Sequence, residues 1–83
     1  MKTPNEKVAL VTGATRGVGK GVARALADAG FSVYATGRSA EQTDLGPGIT
    51  AIACDSTDDG AIAQVFERIQ SERGRLDVLV NSA

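Results

Sequence analysis

Three glycines carry the chemistry that can be read in this chain. Gly13, Gly17 and Gly19 follow directly on the apolar run Val8-Ala-Leu-Val-Thr12, and a helical pattern begins at once. A strand that feeds a glycine turn and then a helix is a place to hold a phosphate. The first turn of a helix leaves backbone N–H groups without partners and carries a partial positive charge, so it attracts an anion. Glycine is needed where the backbone itself must approach phosphate oxygens, because a Cβ would hold it away.

The elements that must position this turn follow from hydrophobic pattern. Val8 to Thr12 is continuous apolar chain, as for a strand buried on both faces of a parallel sheet. Gly17 to Ala29 predicts a helix, with Val18, Val22, Ala25, Leu26 and Ala29 on one face and Lys20, Arg24 and Asp28 on another. Gly30 is placed to end it in a left-handed conformation. Phe31 to Thr36, rich in β-branched and aromatic residues, predicts a second strand. Ser39 to Gly48 reads as loop, with a helical turn near Ala40 to Thr43. Ile49 to Cys54 predicts a third strand. Thr57 is then the expected N-cap of a helix, with Asp58 and Asp59 in a first turn that favours negative charge. Ile62, Val65, Phe66 and Ile69 form its apolar stripe, Arg73 its end and Gly74 its stop. Leu76 to Val80 predicts a fourth strand. This alternation predicts an α/β fold, a parallel sheet with right-handed crossovers.

Composition narrows the function. The 83 residues allow one small domain or part of a larger one. A formal charge of −1 and 4% aromatic residues leave no nucleic-acid footprint. The absence of histidine removes His-based catalysis and most transition-metal sites. Met1 to Lys7 is polar and has no signal-peptide core, and no apolar run approaches the ~20 residues of a membrane helix. Cys54, the single cysteine, cannot close an intramolecular disulfide; it fits a reducing cytoplasm and reads as a small buried hydrophobe. Asp55 to Gly60 begins like a calcium loop, but the third position is Thr57 and the twelfth Phe66, so no metal is expected.

Which phosphate loop this is depends on spacing. A P-loop nucleotidase needs G-x-x-x-x-G-K-[ST]; around Gly19-Lys20 the first glycine is Ala14 and the hydroxyl position is Gly21. The G-x-G-x-x-G fingerprint fails on the order of the gaps. Thr-Gly-x-x-x-Gly-x-Gly is met in full from Thr12 to Gly19. With Asp55 directly after the third strand, and with Gly74-Arg-Leu-Asp77-Val-Leu-Val-Asn81-Ser-Ala83, the chain resembles the short-chain dehydrogenase/reductase family from Lys7 to Ala83. It departs from the family pattern at Ser82, where a second Asn is usual, and at Ser56, where an apolar residue is usual.

The resemblance implies the first half of a Rossmann-type, doubly wound parallel sheet with strands in the order 3-2-1-4, binding a nicotinamide dinucleotide. Backbone around Gly13, Arg16, Gly17, Val18 and Gly19 is expected on the pyrophosphate, with the Thr15 hydroxyl beside it. Asp55 and Ser56 are expected at the adenine. By resemblance, Asn81 stabilises the central sheet, and the backbone of Asn81, Ser82 and Ala83 lies against the adenosine ribose. Asp55 can equally begin the turn that caps the next helix. Dinucleotide folds that take NAD place an acid about 20 residues past the glycine loop, on the ribose 2′-OH. Here Gly37 occupies that position and Arg38-Ser39 follows, while Arg16 lies within reach of the same place. Two guanidiniums suit a 2′-phosphate dianion, so NADP(H) is expected in preference to NAD(H).

The family's reaction is hydride transfer between nicotinamide and a carbonyl/alcohol pair, using a Tyr and a Lys four residues later. Tyr34 is the only tyrosine, Arg38 lies four residues on, and lysine occurs only at 2, 7 and 20. No catalytic residue is therefore assigned, and the chain alone is expected to be inactive. Residues 1–83 are read as the N-terminal part of a single NAD(P)-binding domain, because the fourth strand would otherwise be an exposed apolar edge. The longer parent is expected to act on a small substrate and to form homo-oligomers. The alternatives are a genuinely short dinucleotide-binding or interaction module and, more remotely, P-loop phosphotransfer.

Overall fold

The computed structural model describes residues 7–14, 17–38, 45–46, 48–55 and 58–81. Strand β1 (Val8–Thr12) lies inside a four-stranded parallel sheet, between β2 (Ser32–Gly37) and β4 (Val78–Asn81), with β3 (Ile49–Ala53) outside β2. The expected order 3-2-1-4 is the observed one. Every residue of β1 and β2 is buried; β1 is apolar up to Thr12, whereas β2 buries Ser32 and Thr36 along with its apolar residues.

Helix α1 (Gly17–Asp28) joins β1 to β2, and α2 (Asp59–Arg73) joins β3 to β4. The first crossover runs one way along the sheet and the second runs back past β2 and β1. Right-handed connections therefore place the two helices on opposite faces. The period-two alternation of the strands divides the core accordingly. Ala9, Val11, Val33 and Ala35 pack with Ala23 of α1, whereas Val8, Leu10 and Tyr34 pack with Val65 and Ile69 of α2. Fully buried side chains such as Leu10, Val11 and Ile69 contribute roughly 1.5–3 kcal/mol each.

The face of α1 differs from the one expected. Gly19 and Ala23 are its buried residues, with Val22, Leu26 and Ala27 partly buried, whereas Val18, Ala25 and Ala29 are exposed. Small residues on both sides, Gly19 and Ala23 on α1 and Ala9 and Ala35 on the strands, let helix and sheet approach closely. The helix ends as predicted: Gly30 has φ 97°, its N–H donates to Ala27 O at 3.0 Å, and Phe31 N–H donates to Leu26 O at 3.0 Å.

The N-cap of α2 is Asp58, not Thr57. Asp58 is extended, with φ −97° and ψ 102°, and its carboxylate accepts from Ala61 N–H at 3.2 Å. Thr57 lies outside the described residues, as does the turn expected near Ala40 to Thr43. Gly74, with φ 73°, ends α2 and donates to Gln70 O at 2.9 Å. Strand limits shift by one or two residues, because burial marks where a strand packs and the hydrogen-bond ladder decides where it pairs. In β4, Val78 and Val80 are half-buried on the α1 face while Leu79 is exposed on the other, so this edge is apolar as expected. Among the described residues no helix is long and apolar enough to cross a membrane.

Candidate functional site

Parallel pairing brings the carboxyl ends of all four strands to one edge. Gly13 follows β1, α1 opens at Gly17, Arg38 follows β2, Asp55 lies two residues beyond β3, and Asn81 closes β4. Beside β1 the crossovers reverse, since α1 leads away to β2 while β4 arrives on the other side from α2. In open α/β sheets such a reversal leaves a ligand crevice outside the strand ends.

Two positive-φ glycines shape the turn after β1. Gly13 (φ 65°) and Gly17 (φ 64°) both sit in the left-handed region, which side chains disfavour. Between them Ala14 is fully buried, and its N–H donates to Thr36 O at 2.9 Å, fastening the turn to β2. A Cβ built on Gly17 meets nothing within 4 Å, so the backbone there borders open space. Gly19 is buried against the sheet, and Val18 between the two glycines is 78% exposed at the head of the helix. The first turn of α1 carries no acidic residue, whereas α2 opens on Asp58 and Asp59. Of these two helix starts, α2 has acidic residues of its own, whereas the described first turn of α1 has none; the positive end of a helix attracts an anion.

Arg38 and Asp55, both assigned to the adenosine end, are brought into contact. Arg38 Nη2 lies 3.3 Å from Asp55 Oδ2, with the two side chains 78% and 42% exposed. Asn81 is tied to the central strand: Thr12 Oγ1 donates to Asn81 Oδ1 at 2.9 Å, with Val80 O at 3.4 Å, across the Thr12–Asn81 register pair. Thr15, Arg16, Ser39, Ser56, Ser82 and Ala83 lie outside the described residues.

Two groups with reactive side chains serve packing instead. Tyr34 is fully buried on the α2 face, donates to Glu72 Oε1 at 2.5 Å and accepts from Arg73 Nε at 3.2 Å. Burial first, then the Glu72 carboxylate, pushes its hydroxyl up to about 12, so it holds its proton. Burial likewise pushes the Cys54 thiol up, aided by Asp58 and Asp55, so it is no thiolate nucleophile. Among the described residues, no three His, Cys, Asp or Glu side chains are grouped to hold a metal.

The short chain dehydrogenase profile matches residues 7–83. The chain belongs to the short-chain dehydrogenase family. It is 42% identical over 88 residues to dehydrogenase/reductase SDR family member 1 of Homo sapiens, covering 95% of this chain and 28% of that protein. It is 40% identical over 82 residues to the 3-oxoacyl-acyl-carrier-protein reductase FabG of Escherichia coli, covering 93% and 34%. Among solved structures, an actinorhodin polyketide ketoreductase with NADPH matches with a TM-score of 0.86 at 33% identity, covering 100% of this chain and 35% of that one. A metagenomic short-chain oxidoreductase in complex with NADP matches with a TM-score of 0.84 at 36% identity, covering 98% and 41%. The chain thus spans about a third of the length of these relatives.

The sequence reading named the residues at the ends of these strands but not three contacts that they make. Thr12 is the partner of Asn81; both close neighbouring strands, a signal legible only once β1 and β4 are known to be adjacent. The Arg38–Asp55 contact needs β2 and β3 adjacent in the same way. Asp77 works from the far end of the sheet. Its Oδ2 accepts from Val8 N–H at 2.8 Å, and Arg75 grips both oxygens at 2.7 and 2.9 Å. The Arg75 fork, then Val8 N–H, holds the Asp77 carboxyl below the usual carboxylate range. A lone acid within Leu76-Asp-Val-Leu-Val80 was the available sign. It locks β4 against β1 and so helps fix the strand end that bears Asn81.

Proposed function

We propose that this chain is the NADP(H)-binding part of an oxidoreductase that transfers a hydride between nicotinamide and a carbonyl/alcohol substrate. The observation that carries the cofactor choice is the end of β2, where the strand closes on Gly37 and the exposed Arg38 follows. An acid there would hold a ribose 2′-OH and repel a 2′-phosphate; a guanidinium does the opposite. NADPH and NADP in the two solved relatives support the same choice.

In this reading Gly13, Gly17, Val18 and Gly19, with Thr15 and Arg16, hold the pyrophosphate on the positive end of α1. Arg38, Ser39 and Arg16 receive the 2′-phosphate, Asp55 and Ser56 the adenine, and Asn81, Ser82 and Ala83 border the adenosine ribose. The bound nicotinamide would supply or accept the hydride. We read residues 1–83 as the first part of one dinucleotide-binding domain, which agrees with its span of about a third of its relatives. The 83 residues hold no Tyr-x-x-x-Lys pair, and on this reading they do not turn over substrate alone. A cytoplasmic protein, homo-oligomeric at full length, completes the proposal.

Calorimetric titration of the chain with NADPH and NADH tests the choice. NADPH should bind at least about tenfold more tightly, the worth of one charge-assisted contact, and Arg38→Ser should shrink the difference to what Arg16 sustains. Equal affinities in the unaltered chain would refute the NADP(H) preference.

A further inference from the structure

We propose that Asp55 is the resident counter-anion of Arg38, and that a cofactor's 2′-phosphate binds by displacing it, so that Asp55 sets how strongly the site prefers a phosphorylated cofactor. This rests on the NADP(H) reading above. It assigns Asp55 a role at the phosphate, distinct from contact with adenine.

The pairing follows from the sheet. β2 and β3 run parallel in register to Gly37–Ala53, and Cys54 N–H continues the ladder by donating to Gly37 O at 3.0 Å. Arg38 and Asp55 therefore leave the same edge side by side. The contact itself is loose, one guanidinium nitrogen on one carboxylate oxygen at 3.3 Å between two exposed side chains. The Arg75–Asp77 pair in the same chain is made differently, with two short guanidinium bonds to the two carboxylate oxygens. That pair is built to stay, and Arg38–Asp55 is built to exchange. A phosphate dianion offers the guanidinium fork two oxygens and twice the charge, so it outbids a monodentate carboxylate.

The electrostatics of the corner give the sign. Asp55 is followed by Asp58, whose carboxylate caps α2, and by Asp59 in the first turn of that helix. An incoming dianion meets this negative edge with Arg38 already partly neutralised by Asp55. Removing the Asp55 charge frees Arg38 and lifts a repulsion. Exposed ion pairs contribute little, so the gain in affinity is about 1.5- to 5-fold.

The test uses 2′,5′-ADP and 5′-AMP, which share the adenine and differ in the 2′-phosphate, titrated calorimetrically into the full chain. Asparagine at 55 keeps an oxygen that accepts a hydrogen bond, so any effect at adenine moves both ligands together and cancels in their ratio. Asp55→Asn should raise the preference for 2′,5′-ADP by about 1.5- to 5-fold, and Asp55→Ser should do the same. In an Arg38→Ser background the gain should be smaller, because only the direct repulsion by Asp55 is then lifted. If the unaltered chain prefers 2′,5′-ADP and the Asp55 variants leave that preference unchanged or lower it, the displacement is wrong and the NADP(H) reading survives. If the unaltered chain binds both ligands equally, the NADP(H) reading fails and the displacement fails with it.

Discussion

Gly17 and Gly30 make a matched pair for testing the phosphate cradle. Both adopt positive φ, 64° and 97°, and a Cβ placed on either meets nothing within 4 Å. An alanine at either position therefore pays for left-handed backbone and for no collision. That strain is about 1–2 kcal/mol, partly offset by about 0.4–1 kcal/mol from a less flexible unfolded chain. The net loss should be near ~1 kcal/mol for each, a fall in Tm of roughly 4–8 °C in a domain of this size. The two positions differ in where they stand. Gly17 opens α1 at the carboxyl edge of the sheet, whereas Gly30 follows the other end of the same helix. At Gly17 the methyl would occupy space that the pyrophosphate needs, and NADPH affinity should fall at least about tenfold, or ~1.4 kcal/mol. At Gly30 it should not change. Urea unfolding followed by circular dichroism measures the first quantity, and NADPH fluorescence titration the second. Gly17→Ala and Gly30→Ala variants with equal NADPH affinity would show that the glycine turn is a structural corner and not a cradle.

Two further predictions concern the frame around the site. Tyr34→Phe removes the bonds to Glu72 and Arg73; since Glu72 is exposed and rehydrates, the cost at neutral pH should be about 1 kcal/mol. The buried hydroxyl keeps its proton to about pH 12, while the unfolded chain releases it near 10. The folded state thus binds more protons above pH 10, and stability falls there by up to about 1.4 kcal/mol per pH unit through this group. Urea midpoints across that range should fall more steeply for the unaltered chain than for Tyr34→Phe, and parallel lines would contradict the assignment. Asp77 titrates in the opposite sense. Its carboxyl is held below the usual range, so its contribution is complete above about pH 4 and disappears as pH falls through the lowered value. Asp77→Asn should lower Tm at pH 7 and flatten its decline below about pH 4; an identical acid decline in both proteins would rule the role out.

The order of elements, the α/β class and the glycine turn were legible in the residues because each depends on local pattern. Four apolar residues and a threonine before Gly13, glycines at positions that demand positive φ, and Gly74 after an apolar stripe are properties of short stretches of chain. The missing acid at Gly37 and the arginine after it are equally local. The phase of α1 was not local. Its pattern favoured Val18, but docking on the sheet buries Gly19 and Ala23 with Val22, Leu26 and Ala27 partly covered beside them, and Val18 is left at the mouth of the site. The cap of α2 moved from Thr57 to Asp58 because only the realised turn decides which side chain reaches Ala61 N–H.

Contacts between strands distant in sequence belong wholly to the tertiary structure. Arg38 reaches Asp55, Thr12 reaches Asn81 and Asp77 reaches Val8 because β3, β2, β1 and β4 lie in that order and register. No spacing along the chain encodes those distances. The sequence determined which groups stand at the ends of strands, since that follows from turn chemistry and periodicity. Only the sheet decided which of them share an edge, because right-handed crossovers and the burial of two faces select one strand order from those the same elements permit.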